Sequence, residues 1–159
     1  MSYLIASAVF LLDQLTKKYI SANLSLGQSI AVIKNIFHLS LVHNRGVAFG
    51  LFNGWQPFFI ILTSLVILYI VVDLCLNSKH YGISRRIAFG LILGGACGNL
   101  LDRLRLGYIV DFLDFRIWPV FNAADSAITI GMILLGLELF IKSKTKKQKS
   151  KTQIKIQNY

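Results

Sequence analysis

The chain has 159 residues, 55% of them hydrophobic and only 15% charged, with a mean hydropathy of +0.61. An ordinary soluble domain carries about 25% charged residues, so this composition excludes one and leaves room for several membrane helices but no second soluble domain. The formal net charge of +10 would suit nucleic acid, but seven of the seventeen basic residues crowd into residues 142–159 with no interleaved aromatics; no nucleic-acid partner is expected, and anionic membrane lipid is the expected contact.

Four apolar stretches of helical length, residues 3–20, 57–76, 83–101 and 120–141, predict an all-α membrane protein with four transmembrane helices. The run 4–12 within the first has the length of a signal-peptide core. It lacks a preceding basic stretch and a following small-residue cleavage site, so it is expected to remain as helix 1. Asp13 and Lys17 lie one turn apart in the favourable acid-before-base order and are expected to pair.

Between helices 1 and 2, residues 29–33 and 36–42 are rich in β-branched and aromatic side chains, with Lys34 and Asn35 as a turn. They predict a small β-rich extracytoplasmic module inside an insertion of about residues 21–56. Trp55 and Trp118 flank helices 2 and 4 as interface anchors. In helix 3, Gly90, Gly94 and Gly98 recur every four residues and line a face for close helix packing. No strand precedes this stripe and no Lys-Ser/Thr follows it, so it is not a nucleotide loop.

Directly after the stripe, Asn99, Asp102 and Arg103 share a helical face, and Asp102 is expected to stay charged beside Arg103 as a buried ion pair closing the helix. Gly107 lets the chain turn back towards Asp111, inside an outer flap of about residues 104–119. Asn122 and Asp125, three apart, open helix 4. Lys and Arg in the short segments 77–86 and 142–159 assign those to the cytoplasm, with both termini, and leave 21–56 and 102–119 outside. Lys17 and Lys18 are exceptions to that rule.

Only seven residues are acidic, and Asp13, Asp102, Asp111 and Asp125 fall in or beside apolar segments. A carboxylate at bilayer depth costs roughly 2.5–3.5 kcal/mol, so such residues point to function. If Asp111 and Asp125 meet, they cannot both ionise; sharing one proton, they could activate water and polarise a carbonyl, as in aspartic proteases. Spacing alone fits an ion- or proton-coupled transporter equally well. His38, His43 and His80 are scattered, so no metal and no cofactor are expected. Cys75 and Cys97 read as packed thiols, Asp73 and Glu138 as acids that snorkel or pair with nearby Lys and Arg, and Asp114 as a solvated flap residue.

Five blocks in order add what spacing cannot: Asp13-Gln14-Leu15-Thr16-Lys17, Asn44-Arg45-Gly46-Val47-Ala48-Phe49, Gly94 through Arg103, Val110-Asp111-Phe112, and Phe121-Asn122-Ala123-Ala124-Asp125. In these, the chain resembles the lipoprotein signal peptidase (signal peptidase II) family across nearly its whole length. The resemblance implies a bacterial inner-membrane aspartic endopeptidase, active towards the outer face. It would cut signal peptides from diacylglyceryl-modified prolipoproteins just before the lipidated cysteine. It implies Asp111 and Asp125 as the catalytic pair, with Asp13, Lys17, Asn44, Asn99, Asp102, Arg103 and Asn122 as supporting or substrate-binding residues. A noncatalytic lipoprotein-binding protein is the further alternative. The domain expectation is one peptidase unit over residues 1–141, monomeric, followed by a Lys-rich cytoplasmic tail, 142–159. Two departures stand out: a short connection between Asp111 and Asp125, and Cys97 where a bulkier apolar residue is expected.

Overall fold

The computed structural model describes residues 1–46 and 55–157, with side chains through residue 144. The motif residues Val47, Ala48 and Phe49 lie outside the described residues. The elements run α1 (Ser2–Asn23), β1 (Ser29–Ile33), β2 (Phe37–Asn44), α2 (Gln56–Asn77), α3 (Ile83–Leu106), β3 (Ile109–Asp114) and α4 (Ala123–Gln157), with a short 3₁₀ turn at Ser78–His80. This is a mostly helical membrane protein with a small three-stranded antiparallel sheet.

Among the described residues, three helical stretches are long and apolar enough to cross a membrane: Gln56–His80, Ile83–Leu106 and Ala123–Lys144. The expected first span forms a helix of full length, but Asp13, Lys17 and Lys18 fall within every 18-residue stretch of it. Helix α4 continues well past residue 141, because nothing between Lys142 and Gln157 is a Gly or Pro that would stop it. Within the apolar windows, 61% of α3 is buried against 11% of α2 and 17% of α4. Helix α3 is therefore the central post, and α2 turns most of its apolar surface outward.

The glycine stripe explains how α3 takes that position. A Cβ on Gly90 would stand 2.7 Å from the Ser2 carbonyl oxygen, one on Gly94 2.5 Å from that of Ala6, and one on Gly98 would strike the Asp13 carboxylate. Gly95 and Gly131 serve the opposite contact, where added Cβ atoms would meet the Ala124 and Ala88 carbonyls at 2.5 and 2.8 Å. Close backbone approach on both sides locks α1, α3 and α4 together. Ala6, Ile70, Leu74, Phe89, Ile92 and Leu93 fill the space between the helices.

At the other end of α1 and α3, Ile20, Leu24, Leu41, Val110 and Phe112 form a second core beneath the sheet, whose order is β1-β2-β3. The turn read at Lys34 and Asn35 joins β1 to β2, with Asn35 at φ 63°, a left-handed value that Asn tolerates well. Strand β3 was not anticipated from the sequence. It follows Gly107, whose φ of 77° ends α3 with its N–H donating to the Arg103 carbonyl at 3.2 Å. Between the pairings Leu39↔Leu113 and Val42↔Asp111, β2 advances one residue more than β3. This bulge resets the alternation and leaves Asn44 and Asp111 as diagonal neighbours on one face.

Replacing Gly94 by Val is expected to force α1 off α3 and to destabilise the protein by roughly 1–3 kcal/mol. Thermal unfolding in detergent measures it, with Gly136→Ala, which enters open space inside helix α4, expected to hold or slightly raise the midpoint.

Candidate active site

The polar site is built where α1, α3, β3 and the start of α4 converge. Lys17 is its hub: only 3% exposed, its Nζ lies 2.8 Å from Asp13 Oδ2 and 2.9 Å from Asp102 Oδ2, and donates to Asn99 Oδ1 at 2.9 Å. The Asp13–Lys17 pairing is the one expected from their spacing. The pairing of Asp102 with Arg103 is not observed. Consecutive residues on a helix point in different directions; Asp102 faces Lys17 and also accepts the Val110 N–H at 3.2 Å, while the Arg103 guanidinium lies 5.2 Å over the Phe59 ring.

Asp13, fully buried, also accepts the Ala124 N–H at 3.0 Å and so ties α1 to the first turn of α4. Gln14 was overlooked as a site residue. Its Nε2 lies 3.1 Å from both Asp13 Oδ2 and Asp102 Oδ1 and 3.3 Å from the Gly98 carbonyl, bracing the two acids from one side. Its place beside Asp13 in the first motif was the available signal.

Asn122 and Asp125 form a reciprocal cap at the head of α4. The Asp125 N–H donates to Asn122 Oδ1 at 2.9 Å, and the Asn122 N–H to Asp125 Oδ2 at 3.3 Å. Such a capping box satisfies two otherwise unpaired donors. It also fixes the Asn122 amide, whose Nδ2 then reaches Asp111 Oδ1 at 2.7 Å, Asn99 Oδ1 at 3.2 Å and the Val110 carbonyl at 3.3 Å. Asp111 receives a second bond from Asn44 Nδ2 at 2.9 Å, and Asp125 receives one from Asn99 Nδ2 at 2.7 Å.

The structure therefore brings Asp13, Lys17, Asn44, Asn99, Asp102, Asp111, Asn122 and Asp125 into one hydrogen-bonded array, with Arg103 at its edge. Asp111 is 1% exposed. Burial, and next the negative charge of Asp125, push its carboxyl up to about 7, outweighing the hydrogen bonds from Asn44 and Asn122 and the charge of Lys17. Asp111, Asp125, Asn44, Asn99 and Arg103 line one cavity of about 490 Å³. Its remaining wall is mainly apolar and includes Leu62 and Val66 of α2 and Ile128 and Met132 of α4.

Other acids depart from expectation. Asp114 is not solvated: it is 6% exposed, accepts from Ser40 Oγ at 2.8 Å and pairs with Arg116 at 3.1 Å. Burial alone would raise its carboxyl, but the bonds from Ser40 and Arg116 hold it below the usual range. Asp73 accepts from Asn77 and Tyr81 at 2.9 and 2.5 Å instead of pairing with a Lys or Arg. Glu138 pairs with Arg85 and Lys142 as read. Cys75 is exposed, with its Sγ 3.4 Å from Tyr3 Oη, so it is not a packed thiol; Cys97 is half-buried. Among the described residues, no group of three or more His, Cys, Asp or Glu is placed to hold a metal ion.

A charged array buried at the end of apolar helices and open to an apolar cavity is the architecture of a membrane-embedded enzyme, and comparison with solved structures agrees. A bacterial membrane enzyme determined by the in meso method at 2.3 Å resolution matches with a TM-score of 0.85 at 35% identity, over 91% of this chain and 90% of its own. A second, at 1.9 Å resolution, matches with a TM-score of 0.79 at 36% identity, over 87% of this chain and 91% of its own. The family model described as signal peptidase (SPase) II matches residues 5–141, and the chain belongs to that family of membrane proteases. The lipoprotein signal peptidase of Halothermothrix orenii is 45% identical over 91% of this chain and 98% of its own length. That of Moorella thermoacetica is 46% identical over 87% and 91% respectively.

Asp102→Ala strips Lys17 of one counter-charge and leaves the Val110 N–H without its acceptor. The expected loss is about 3–5 kcal/mol, the range for breaking a buried ion pair from one side. Denaturant unfolding in detergent, followed by circular dichroism, reads it directly.

Proposed function

We propose that the protein is an aspartic endopeptidase in which Asp111 and Asp125 jointly activate water to cut diacylglyceryl-modified prolipoproteins before the lipidated cysteine. The observation that carries the reading is that both carboxyl groups line a single cavity and each accepts hydrogen bonds from a fixed set of amides. Asp111, pushed up to about 7, holds the shared proton. It donates to the scissile carbonyl while Asp125 takes a proton from water, and the water oxygen attacks the carbonyl carbon. On collapse, Asp125 passes its proton to the departing nitrogen of the lipidated cysteine. Asp111 regains its own from the new hydroxyl, so one water is consumed and no covalent enzyme intermediate forms.

The apolar wall supplied by α2 and α4 suits the lipid chains and apolar signal segment, and Arg103 stands where the substrate backbone enters. Asn44, Asn99 and Asn122 orient the pair; Asp13, Lys17 and Asp102 hold that frame. The protein works as a monomer and needs no metal. Helix α1 is the fourth span: Asp13 and Lys17 point inward and are neutralised, while Leu4, Leu11, Leu12 and Leu15 are exposed to lipid. Residues 1–141 form the peptidase unit and 142–159 a cytoplasmic tail meeting anionic lipid. Both termini face the cytoplasm of the bacterial inner membrane. The sheet, the segment 104–119 and the aspartate pair sit at the outer face.

Asp111→Asn and Asp125→Asn are each expected to abolish cleavage of a diacylglyceryl prolipoprotein while thermal unfolding shows a folded protein; turnover by either variant would refute the dyad. EDTA is expected to change nothing. On the alkaline side, kcat/KM is expected to fall as pH rises through about 7, because Asp111 then loses the proton that polarises the carbonyl. For orientation, a Cys placed at Lys34 in a Cys75→Ser, Cys97→Ser background is expected to react with an impermeant thiol reagent in intact cells. One placed at Lys79 is expected to stay unlabelled until lysis; the opposite pattern would invert the topology.

A further inference from the structure

The two carboxyl groups of the pair accept equal numbers of hydrogen bonds, but the donors are held in place differently. Asp111 accepts from Asn44 Nδ2 and Asn122 Nδ2, and Asp125 from Asn99 Nδ2 and the Asn122 N–H. None of these donors can reverse freely. The Asn44 carbonyl is held by the Gly46 N–H at 3.0 Å and the Asn122 carbonyl by the Asp125 N–H. The Asn99 carbonyl differs, because it is held by an ion as well as by Asn122 Nδ2 at 3.2 Å: Lys17 has three N–H donors and no acceptor, and spends them on Asp13, Asp102 and Asn99. That leaves the Asn99 amide one orientation, oxygen towards Lys17 and nitrogen towards Asp125.

We propose that Lys17 is the positioning residue of the aspartate pair: acting through the Asn99 amide, whose orientation it fixes, it delivers an irreversible donor to Asp125, and so decides that the resting proton sits on Asp111. This rests on the dyad reading given above. Asp125 touches the Lys17 charge through a single amide and opens a long helix, whose N-terminus favours negative charge. Asp111 sits in a strand between two neutral amides. Among the described residues, the other charged groups facing the pair are Asp13 from α1 and Asp102 and Arg103 from α3; β2 contributes the neutral Asn44, and α2 the uncharged Phe59 and Thr63. Arg103 faces both aspartates and so does not separate them. Asp13 and Asp102 are each engaged by Lys17, whose charge reaches both aspartates; the asymmetric element is the Asn99 donor that Lys17 orients, which Asp125 alone of the pair receives.

The test is the pH profile of kcat/KM for diacylglyceryl prolipoprotein cleavage in detergent, measured for wild type, Lys17→Met, Asn99→Ala and the double variant. Asn99→Ala leaves the Asp13–Lys17–Asp102 cluster intact and keeps the test usable should Lys17→Met fail to fold. The acidic limb is expected to move to higher pH by about one unit, a roughly tenfold loss of rate on that side, with KM little changed. The double variant is expected to move it no further than the larger single shift, since both residues act along one path. A folded Asn99→Ala enzyme that loses kcat with its acidic limb unmoved would overturn the proposal, as would additive shifts. Persisting turnover by Asp111→Asn or Asp125→Asn would instead remove the dyad reading beneath it, so the two failures are told apart.

Discussion

A lysine ammonium enclosed almost completely by protein is the constraint on which this structure turns. Stripping such an ion of water costs several kcal/mol even after relaxation, and only close opposite charge and complete hydrogen bonding can offset it. Lys17 meets that demand with Asp13 from its own helix, Asp102 from α3 and the Asn99 carbonyl. Each partner then has further obligations. Asp13 accepts from the first turn of α4, Asp102 from the start of β3, and Asn99 donates to Asp125. One buried charge thereby fixes the mutual placement of two helices, a strand and a helix start, which are the elements that carry the proposed catalytic pair.

Such an arrangement needs helices that approach more closely than ordinary side chains allow. The glycines of α3 supply the approach to α1, and Gly95 and Gly131 supply it to α4. At Gly98 the space a side chain would need is taken by the Asp13 carboxylate itself, so packing and electrostatics meet at one atom. The sheet closes the remaining side. Its bulge brings Asn44 into line with Asp111, and its underside rests on the apolar end of α1.

The local parts of this design were legible along the chain. The apolar runs of α2 and α3, the glycine stripe, the two strands around Lys34 and Asn35, and the Asp13–Lys17 pair all express short-range periodicity or spacing. The motif order was enough to indicate the family, and its polar residues are the ones the fold gathers into one array. What escaped notice depends on contacts between distant segments. Strand β3 is buried over most of its length and pairs with a strand far earlier in the chain, so it shows no plain alternation. Asp102 was matched to its sequence neighbour Arg103 because its true partner lies on another helix. Asp114 reads as solvated because its buried partner Ser40 is brought to it by the sheet from far earlier in the chain.

The capping box at the head of α4 carries one more consequence. Asn122 and Asp125 use the atoms that start the helix to orient the proposed chemistry, so the two duties cannot be separated by substitution. An inhibitor that grips those carboxylate and amide atoms would leave the organism few routes to resistance. Any replacement that loosened the drug would also unpair the helix start and disturb the proposed catalytic pair, whereas a drug leaning on the exposed apolar wall could be shed by exchanging one aliphatic side chain for another.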